Sequence, residues 1–136
     1  MKILLVEDLP EMRAVTHELL ESLGHQVRAM ATAREALLTL ASGPSAFDAL
    51  ITDIQLPGAS GTDLLIHELS RGTDMALLAF SGSNCDEVLA KLVRQGRVSF
   101  LRKPFGRDDL AHRLEEAVLA RRRPFEDPRS LSRRNS

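Results

Sequence analysis

Residues 48–61, DALITDIQLPGASG, decide the fold of this chain. Within them, Ala49–Thr52 form a short apolar run, which is typical of a strand buried on both faces of a sheet. Asp53 follows directly, and the next eight residues contain one proline and two glycines, which favour a loop over a helix. The stretch therefore predicts a buried strand that ends in a carboxylate and opens into a loop.

The same arrangement recurs on both sides of this stretch, because short β-branched or leucine-rich runs alternate with longer segments of helical period. Such alternation is the signature of βα units and of a parallel sheet. The predicted fold is a single doubly wound (βα)5 domain of the α/β class, flavodoxin-like, with a five-stranded parallel sheet in the order 2-1-3-4-5. The five predicted strands are Lys2–Val6, His25–Met30, Ala49–Thr52, Met75–Phe80 and Val98–Leu101.

A helix is predicted after each strand. The first has apolar residues spaced by three and four from Met12 to Leu23, admits Pro10 in its first turn and ends at Gly24. The later helices are predicted at Ala33–Ala41, at Thr62–Arg71, around Val88–Val93 and around Leu110–Val118.

Composition excludes several classes of protein. The 136 residues suit one domain with a continuous apolar core, and a formal charge of -1 gives no general attraction to nucleic acid or membrane. Cys85 is the only cysteine, which excludes an intramolecular disulfide and a zinc site of several thiolates. The apolar run Ile3–Val6 is too short for a signal peptide or a membrane span. We therefore expect a cytoplasmic protein that binds neither nucleic acid nor membrane directly.

The character of the chain changes near Arg121. Residues 122–136 are rich in arginine and serine and contain few apolar side chains, so they cannot bury enough surface to order themselves. The sequence predicts a domain at residues 1–121 followed by a disordered tail at residues 122–136.

Polar residues fall repeatedly at the carboxyl ends of the predicted strands. Glu7 and Asp8 follow the first strand, Asp53 the third, Ser81 the fourth, and Lys103 the fifth. In the order 2-1-3-4-5 these four strands are neighbours, and an open parallel sheet places its ligand site beyond the carboxyl ends of its strands. We expect the five side chains to meet in one pocket.

Three carboxylates and one ammonium in a small pocket indicate a particular chemistry. Mutually repelling acids need a cation, and a hard, oxygen-rich site suits Mg²⁺. The Asp53 carboxylate could act as a nucleophile on phosphorus and form an acyl phosphate. Lys103 could neutralise a phosphoryl oxygen, and the Ser81 hydroxyl could donate a hydrogen bond to another.

Four stretches of the chain resemble those of a known family, the receiver domains of two-component response regulators. ILLVEDLPEMR (3–13) resembles the first strand with its acid pair, and DALITDIQLPGASG (48–61) resembles the phosphoacceptor strand and loop. LLAFSG (77–82) resembles the hydroxyl-bearing fourth strand, and FLRKPF (100–105) the fifth strand with its Lys-Pro. The resemblance covers about Met1 to Arg121.

This resemblance implies a metal-dependent phosphoacceptor site. By it, Asp53 is the phosphorylated residue, Asp8 is the principal metal carboxylate, and Glu7 acts on the metal through water. The backbone carbonyl of Gln55 completes the protein ligands of Mg²⁺, for which Mn²⁺ could substitute. Ser81 and Lys103 would bind the phosphoryl group.

The resemblance also implies a switch. Ser81 moves toward the phosphate, and the aromatic of the fifth strand, here Phe100, changes rotamer. Phe100 lacks the hydroxyl of the more usual Tyr, so only the packing part of the switch is kept. The movement alters the face formed by the fourth helix, fifth strand and fifth helix.

The family has defined partners and no outside substrate. A histidine kinase or histidine phosphotransfer protein would supply the phosphoryl group, and a downstream protein would bind the altered face, with a homodimer left open. Such a chain is a phosphoacceptor switch that assists its own phosphorylation and dephosphorylation, rather than an enzyme. We expect a stand-alone regulator or the excised receiver of a larger protein.

Each of these residues also has a simpler interpretation when taken alone. An isolated Asp such as Asp53 is often a turn residue, and Glu7 and Asp8 suit the positive end of a helix. Ser81 alone could cap a helix, and Lys103 alone could be a solvated charge. Their coincidence at neighbouring strand ends favours the site.

Two rival functions remain. A phosphatase of the haloacid dehalogenase type also uses an Asp at a strand end, but it has a second Asp where this chain has Gln55. A degenerate receiver that only binds proteins would be expected to have lost the acid, hydroxyl or lysine positions, and this chain retains them.

Overall fold

The computed structural model describes residues 1–42, 46–83 and 85–129. Five strands and five helices alternate along the described part of the chain. Their bounds are β1 (Lys2–Val6), α1 (Pro10–Ser22), β2 (Gln26–Met30), α2 (Ala33–Ala41), β3 (Ala49–Asp53), α3 (Gly61–Ser70), β4 (Ala76–Ser81), α4 (Glu87–Arg94), β5 (Val98–Arg102) and α5 (Arg107–Leu119).

The strands form one sheet in the order β2-β1-β3-β4-β5, and every neighbouring pair is parallel. The predicted fold class and strand order are therefore confirmed. Strand bounds differ from prediction by a residue or so: Asp53 and Ser81 are the last residues of β3 and β4 rather than the residues after them. Both side chains thus extend from the rigid sheet.

The burial of the strands agrees with their order in the sheet. β3 and β4, which are central, are buried at every position, as expected for strands with helices on both faces. β2, which lies at an edge, alternates between exposed and half-buried residues over Gln26–Ala29. The apolar runs that predicted buried strands therefore occupy the middle of the sheet.

Each face of the sheet has its own hydrophobic core. On one face α2, α3 and α4 pack over side chains such as Leu4, Leu50 and Leu77. On the other face α1 and α5 pack over the alternate side chains, such as Leu5 and Ile51. This division places α3 and α4 side by side on the same face.

Helix starts follow local capping rules where the sequence provides a cap. Thr32, Ser60 and Asp86 accept hydrogen bonds from backbone N–H groups in the first turns of α2, α3 and α4. α1 begins instead with Pro10, which needs no N–H partner. None of the helices in the described residues is long and apolar enough to cross a membrane.

Arg97 is an unusual buried residue at the amino end of β5, with 2% of its surface exposed. Its Nη2 donates hydrogen bonds to the carbonyls of Thr73 (2.9 Å) and Met75 (3.0 Å), while Nη1 has no partner within the described ranges. Burial lowers the pKa of its guanidinium. The side chain ties the start of β5 to the segment that leads into β4.

The chain after α5 differs from the expected disordered tail as far as it is described. Residues 121–129 lie against the domain, with Phe125 half-buried against the core of the α2-α3-α4 face and Pro128 buried. Phe125 and Pro128 make apolar contacts that could not be predicted from the polar composition of residues 122–136. Residues 130–136, also part of the predicted tail, lie outside the described residues, and a domain end near Arg121 stays a prediction.

Gly61, the first residue of α3, lies against the end of β3. A Cβ built on Gly61 would overlap the backbone carbonyl of Asp53 and the Cα of Ile54, and the Gly61 N–H donates to the Ile54 carbonyl at 3.0 Å. Its φ is not in the left-handed region, so the absence of a side chain is what this position requires.

We predict that Gly61→Ala destabilises the protein by about 2 kcal/mol or more, because the methyl group meets backbone atoms that cannot move independently. Thermal unfolding should show a melting temperature lower by roughly 6 °C or more. Gly82→Ala is the matched control, since a Cβ there meets nothing within 4 Å. Equal melting temperatures for the two variants would contradict this account of α3 packing.

Candidate functional site

The carboxyl ends of β1, β3, β4 and β5 bring the predicted polar residues to one edge of the sheet. Asp53 ends β3, Ser81 ends β4, and Lys103 follows β5 directly. Glu7 follows β1, where its N–H donates to the Met30 carbonyl of β2 at 3.0 Å. The parallel topology alone places these side chains close together.

Three carboxylates form a cluster at this edge. Glu7, Asp8 and Asp53 each present an oxygen that lies within 4.8 Å of the oxygens of the other two. Glu7 is fully buried, Asp53 is 4% exposed and Asp8 is half-buried. The cluster is therefore accessible chiefly from the side of Asp8.

Lys103 balances part of this negative charge. Its Nζ lies 2.7 Å from Asp53 Oδ2 and 3.0 Å from Glu7 Oε2. The same ammonium lies 4.9 Å from the centre of the Phe80 ring, which contributes a cation–π contact. With three carboxylates and one ammonium, the cluster keeps an excess of negative charge.

Burial and charge change the ionisation of two of these groups. Burial raises the pKa of the Glu7 carboxyl, and the neighbouring Asp53 adds to this, although the hydrogen bond from Lys103 acts in the opposite direction. For Lys103, burial alone would lower the pKa of the ammonium, but hydrogen bonds to Asp53 and Glu7 raise it above its ordinary value. Lys103 is therefore charged at neutral pH, and burial disfavours the charged form of Glu7.

The loops above β3 and β4 hold the remaining predicted residues. The Gln55 N–H donates to Asp53 Oδ1 at 2.8 Å, and the Gln55 side-chain amide donates to Ser83 Oγ at 3.2 Å. Ser81 Oγ is buried and accepts from the Ser83 N–H at 3.1 Å. In this arrangement Ser81 is engaged with its own loop, and the role of the Gln55 carbonyl as a metal ligand stays a prediction.

Phe100 lies apart from the acid cluster. It is half-buried on β5, opposite Ala79 of β4, and packs against the core of the α2-α3-α4 face. It also lines a groove with residues of α4, β5 and α5, among them Val93 and Arg113. Its assigned switch role is a prediction, but its location is on the expected face.

Comparison with known proteins agrees with this geometry. The model of the response regulator receiver domain family matches residues 3–115. The chain belongs to this family. Receiver domains are the phosphoacceptor switches of two-component systems, and the fold, the strand-end acids and the lysine match that role.

Curated relatives are longer than this chain. The transcriptional regulatory protein TcrA of Mycobacterium tuberculosis is 32% identical over 132 residues, which are 96% of this chain and 50% of the relative. The C4-dicarboxylate transport transcriptional regulatory protein DctD of Rhizobium meliloti is 29% identical over 131 residues, 96% of this chain and 28% of the relative. The receiver thus spans half or less of these relatives.

Solved structures of receivers are similar throughout the domain. A response regulator receiver domain protein from Clostridium thermocellum has a TM-score of 0.76 and 26% identity, covering 87% of this chain and 94% of the other. The receiver domain of the hybrid histidine kinase CckA has a TM-score of 0.71 and 29% identity, covering 87% and 99%.

Some residues of the receiver's site had no recognised signal in the sequence. Arg13 of α1 donates from Nη1 to the Glu7 carbonyl at 2.9 Å and to the Asp8 carbonyl at 3.4 Å. These two bonds hold the backbone of the acid pair against α1. Phe80 supports Lys103 and meets the Phe105 ring edge-on at 5.7 Å. Arg13 lies five residues after Asp8 in the sequence, and this spacing could have indicated its contact with the backbone of the acid pair.

The donor set fits a hard divalent cation. Carboxylate oxygens within 4.8 Å of one another can share one ion, and their charge exceeds that of Lys103. The raised pKa of Glu7, caused first by burial, shows that its charged form lacks stabilisation in the protein alone. A bound cation would provide that stabilisation.

We predict that Glu7→Gln stabilises the receiver in a chelator-containing buffer at neutral pH, because the buried charge is removed while the shape is kept. The melting temperature should rise, by roughly 3 °C for each 1 kcal/mol of stabilisation. Added Mg²⁺ should stabilise the unmodified protein more than this variant. Glu18→Gln, at an exposed acid in the middle of α1, is the control and should change neither result.

The same variant gives a test by pH. The folded-state pKa of Glu7 lies above its ordinary value of 4.5, so protonation favours the folded state. The metal-free protein should therefore gain stability relative to Glu7→Gln as the pH falls through the folded pKa toward 4.5. A stability difference between the two proteins that does not change with pH would contradict this assignment.

Proposed function

We propose that Asp53 accepts a phosphoryl group from a histidine kinase or a histidine phosphotransfer protein, in a Mg²⁺-dependent reaction. The observation that carries this proposal is the fixed orientation of the Asp53 carboxylate. The Gln55 N–H holds Oδ1 at 2.8 Å, and Lys103 holds Oδ2 at 2.7 Å. Such positioning supports in-line attack on phosphorus and makes up much of the catalysis of phosphoryl transfer.

In this proposal the Asp53 carboxylate forms the new oxygen–phosphorus bond, and the donor's nitrogen–phosphorus bond breaks. Glu7, Asp8 and Asp53 would hold Mg²⁺, with Gln55 adding its carbonyl, and the ion would supply positive charge to the phosphoryl oxygens. Lys103 would exchange its contact with Asp53 for one with a phosphoryl oxygen.

Ser81 has a partner in its own loop. Its hydroxyl oxygen accepts from the Ser83 N–H, and its Oγ lies 3.2 Å from Ser83 Oγ. In the proposed switch, Ser81 moves toward a phosphoryl group on Asp53, and this movement would pull on the segment that leads into α4. The groove beside Phe100 would then change shape, which would alter the α4-β5-α5 face for a downstream protein.

The chain in this proposal is a switch and not a turnover enzyme. It assists its own phosphorylation and dephosphorylation, acts in the cytoplasm, and acts on no outside phosphoester because Gln55 stands where a second acid would be needed. Output could proceed through a protein partner or a homodimer.

Asp53→Asn should abolish phosphorylation, because an amide is not a nucleophile toward phosphorus. A small acyl phosphate donor with Mg²⁺ should add one acid-stable, base-labile phosphoryl group to the unmodified protein, visible as one mass increment. Asp108→Asn, at an exposed acid of α5, is the control and should be labelled as before. Labelling of Asp53→Asn at an unchanged rate would refute the site, and continuous release of phosphate would indicate a phosphatase.

Lys103→Met should lower the phosphorylation rate by about a hundredfold, as expected for loss of a charged group that stabilises the transferring phosphoryl oxygens. Arg102→Met is the matched control, because Arg102 is the exposed last residue of β5 and the direct neighbour of Lys103 in the chain. Rates should be measured at saturating Mg²⁺ and below the melting temperature of each variant. Similar rates for both variants would exclude a direct role of Lys103.

A further inference from the structure

The segment after α5 contacts the domain at several places along its length. We call residues 121–129 the strap. At its beginning, the guanidinium of Arg123 lies over Gly96, with Nη1 only 2.8 Å from a Cβ built there. Gly96 follows the carboxyl end of α4, so the strap crosses from α5 to α4.

A two-bond contact then joins the strap to α4. Gln95, the residue that ends α4, donates from Nε2 to the Glu126 carbonyl at 2.6 Å and accepts at Oε1 from the Glu126 N–H at 3.0 Å. The side-chain amide makes both bonds at once because its nitrogen donates and its oxygen accepts. A carboxylate at this position would have no proton to donate to the Glu126 carbonyl.

Apolar burial and an ion pair extend the strap to α3. Phe125 packs against the core of the α2-α3-α4 face, and Pro128 is buried. Arg129 reaches Asp63, in the first turn of α3, at 3.7 Å. An exposed ion pair contributes little, so Phe125, Pro128 and the Gln95 contact are the parts of the attachment that the variants should address.

The amino end of α4 is fastened to the same neighbour. Asp86 accepts from the Leu89 N–H at 2.7 Å as the cap of α4, and its other oxygen accepts from Thr62 Oγ1 of α3 at 3.3 Å. α4 is thus held at one end by α3 and at the other by the strap. A shift of α4 as a rigid body would therefore break contacts at both of its ends.

We propose that the strap is an autoinhibitory clamp that holds α4 in its unphosphorylated position, so that phosphorylation of Asp53 and release of the strap favour each other. The clamp rests on the proposed function, because it opposes the movement of Ser81 and α4 that is proposed to follow phosphorylation of Asp53. The structure, with Asp53 paired to Lys103 and the strap docked, is the clamped state. Coupling of this kind is reciprocal: weakening the strap must ease phosphorylation.

Hydrogen exchange on the full 136-residue chain tests the clamp directly. The Glu126 N–H is the reporter, because its partner is Gln95. Exchange of the peptide that contains residues 121–129 should be slow in the unmodified protein with Mg²⁺ alone. With an acyl phosphate donor also present it should become about fivefold faster or more, the lower end of usual coupling.

Variants that weaken the strap test whether its release favours phosphorylation. Gln95→Glu replaces the donor with a carboxylate that faces the Glu126 carbonyl, and Phe125→Ala removes the apolar anchor. Each should raise the phosphorylated fraction at subsaturating donor about fivefold. Their matched controls are Arg94→Gln, which makes the same one-unit change in charge at the exposed neighbour of Gln95, and Arg122→Ala, an exposed position in the strap. Neither control should change the fraction.

The failures of the two proposals can be told apart. Label on Asp53 with unchanged or slower exchange of the strap, or with no gain from either variant, would overturn the clamp and leave the phosphoacceptor site intact. A protein that takes no label would overturn both proposals, whereas fast exchange before any donor is added would overturn the clamp alone.

Discussion

The contacts of Lys103 with Asp53 and Glu7 are the interaction on which the receiver site depends. They join the carboxyl ends of β1, β3 and β5, although β4 lies between β3 and β5. Lys103 crosses β4 over the ring of Phe80, which is paired with Asp53 across the sheet. Unpaired buried carboxylates cost several kcal/mol, so a single ammonium makes this acid cluster compatible with a folded domain.

The fold and the central site residues could be predicted because both follow from strand ends. Hydrophobic periodicity identified the elements, and parallel topology required Asp53, Ser81 and Lys103 to lie on one edge. The acid cluster and the lysine contact agree with that expectation. The hydrogen-bond partners of individual atoms could not be predicted from strand ends. Ser81 bonds to Ser83 because a nearby N–H is available in its own turn.

Long-range contacts of single side chains could not be predicted. The pairing of Gln95 with Glu126 joins residues 31 positions apart and has no periodic signal. The average composition of residues 122–136 did not indicate the contact of Phe125 with the core, since one aromatic among many polar residues hardly changes that average. Arg97 is charged and yet buried, because two backbone carbonyls compensate for part of its lost hydration.

The aromatic at the receiver's proposed switch position has a thermodynamic consequence. Phe100 contains no polar atom, so no hydrogen bond can distinguish its inward and outward rotamers. Their difference in free energy arises from packing and from contact with water, and apolar hydration carries a large heat capacity. The ratio of resting to active forms should thus vary with temperature along a curve, and cooling should weaken the preference for the buried rotamer.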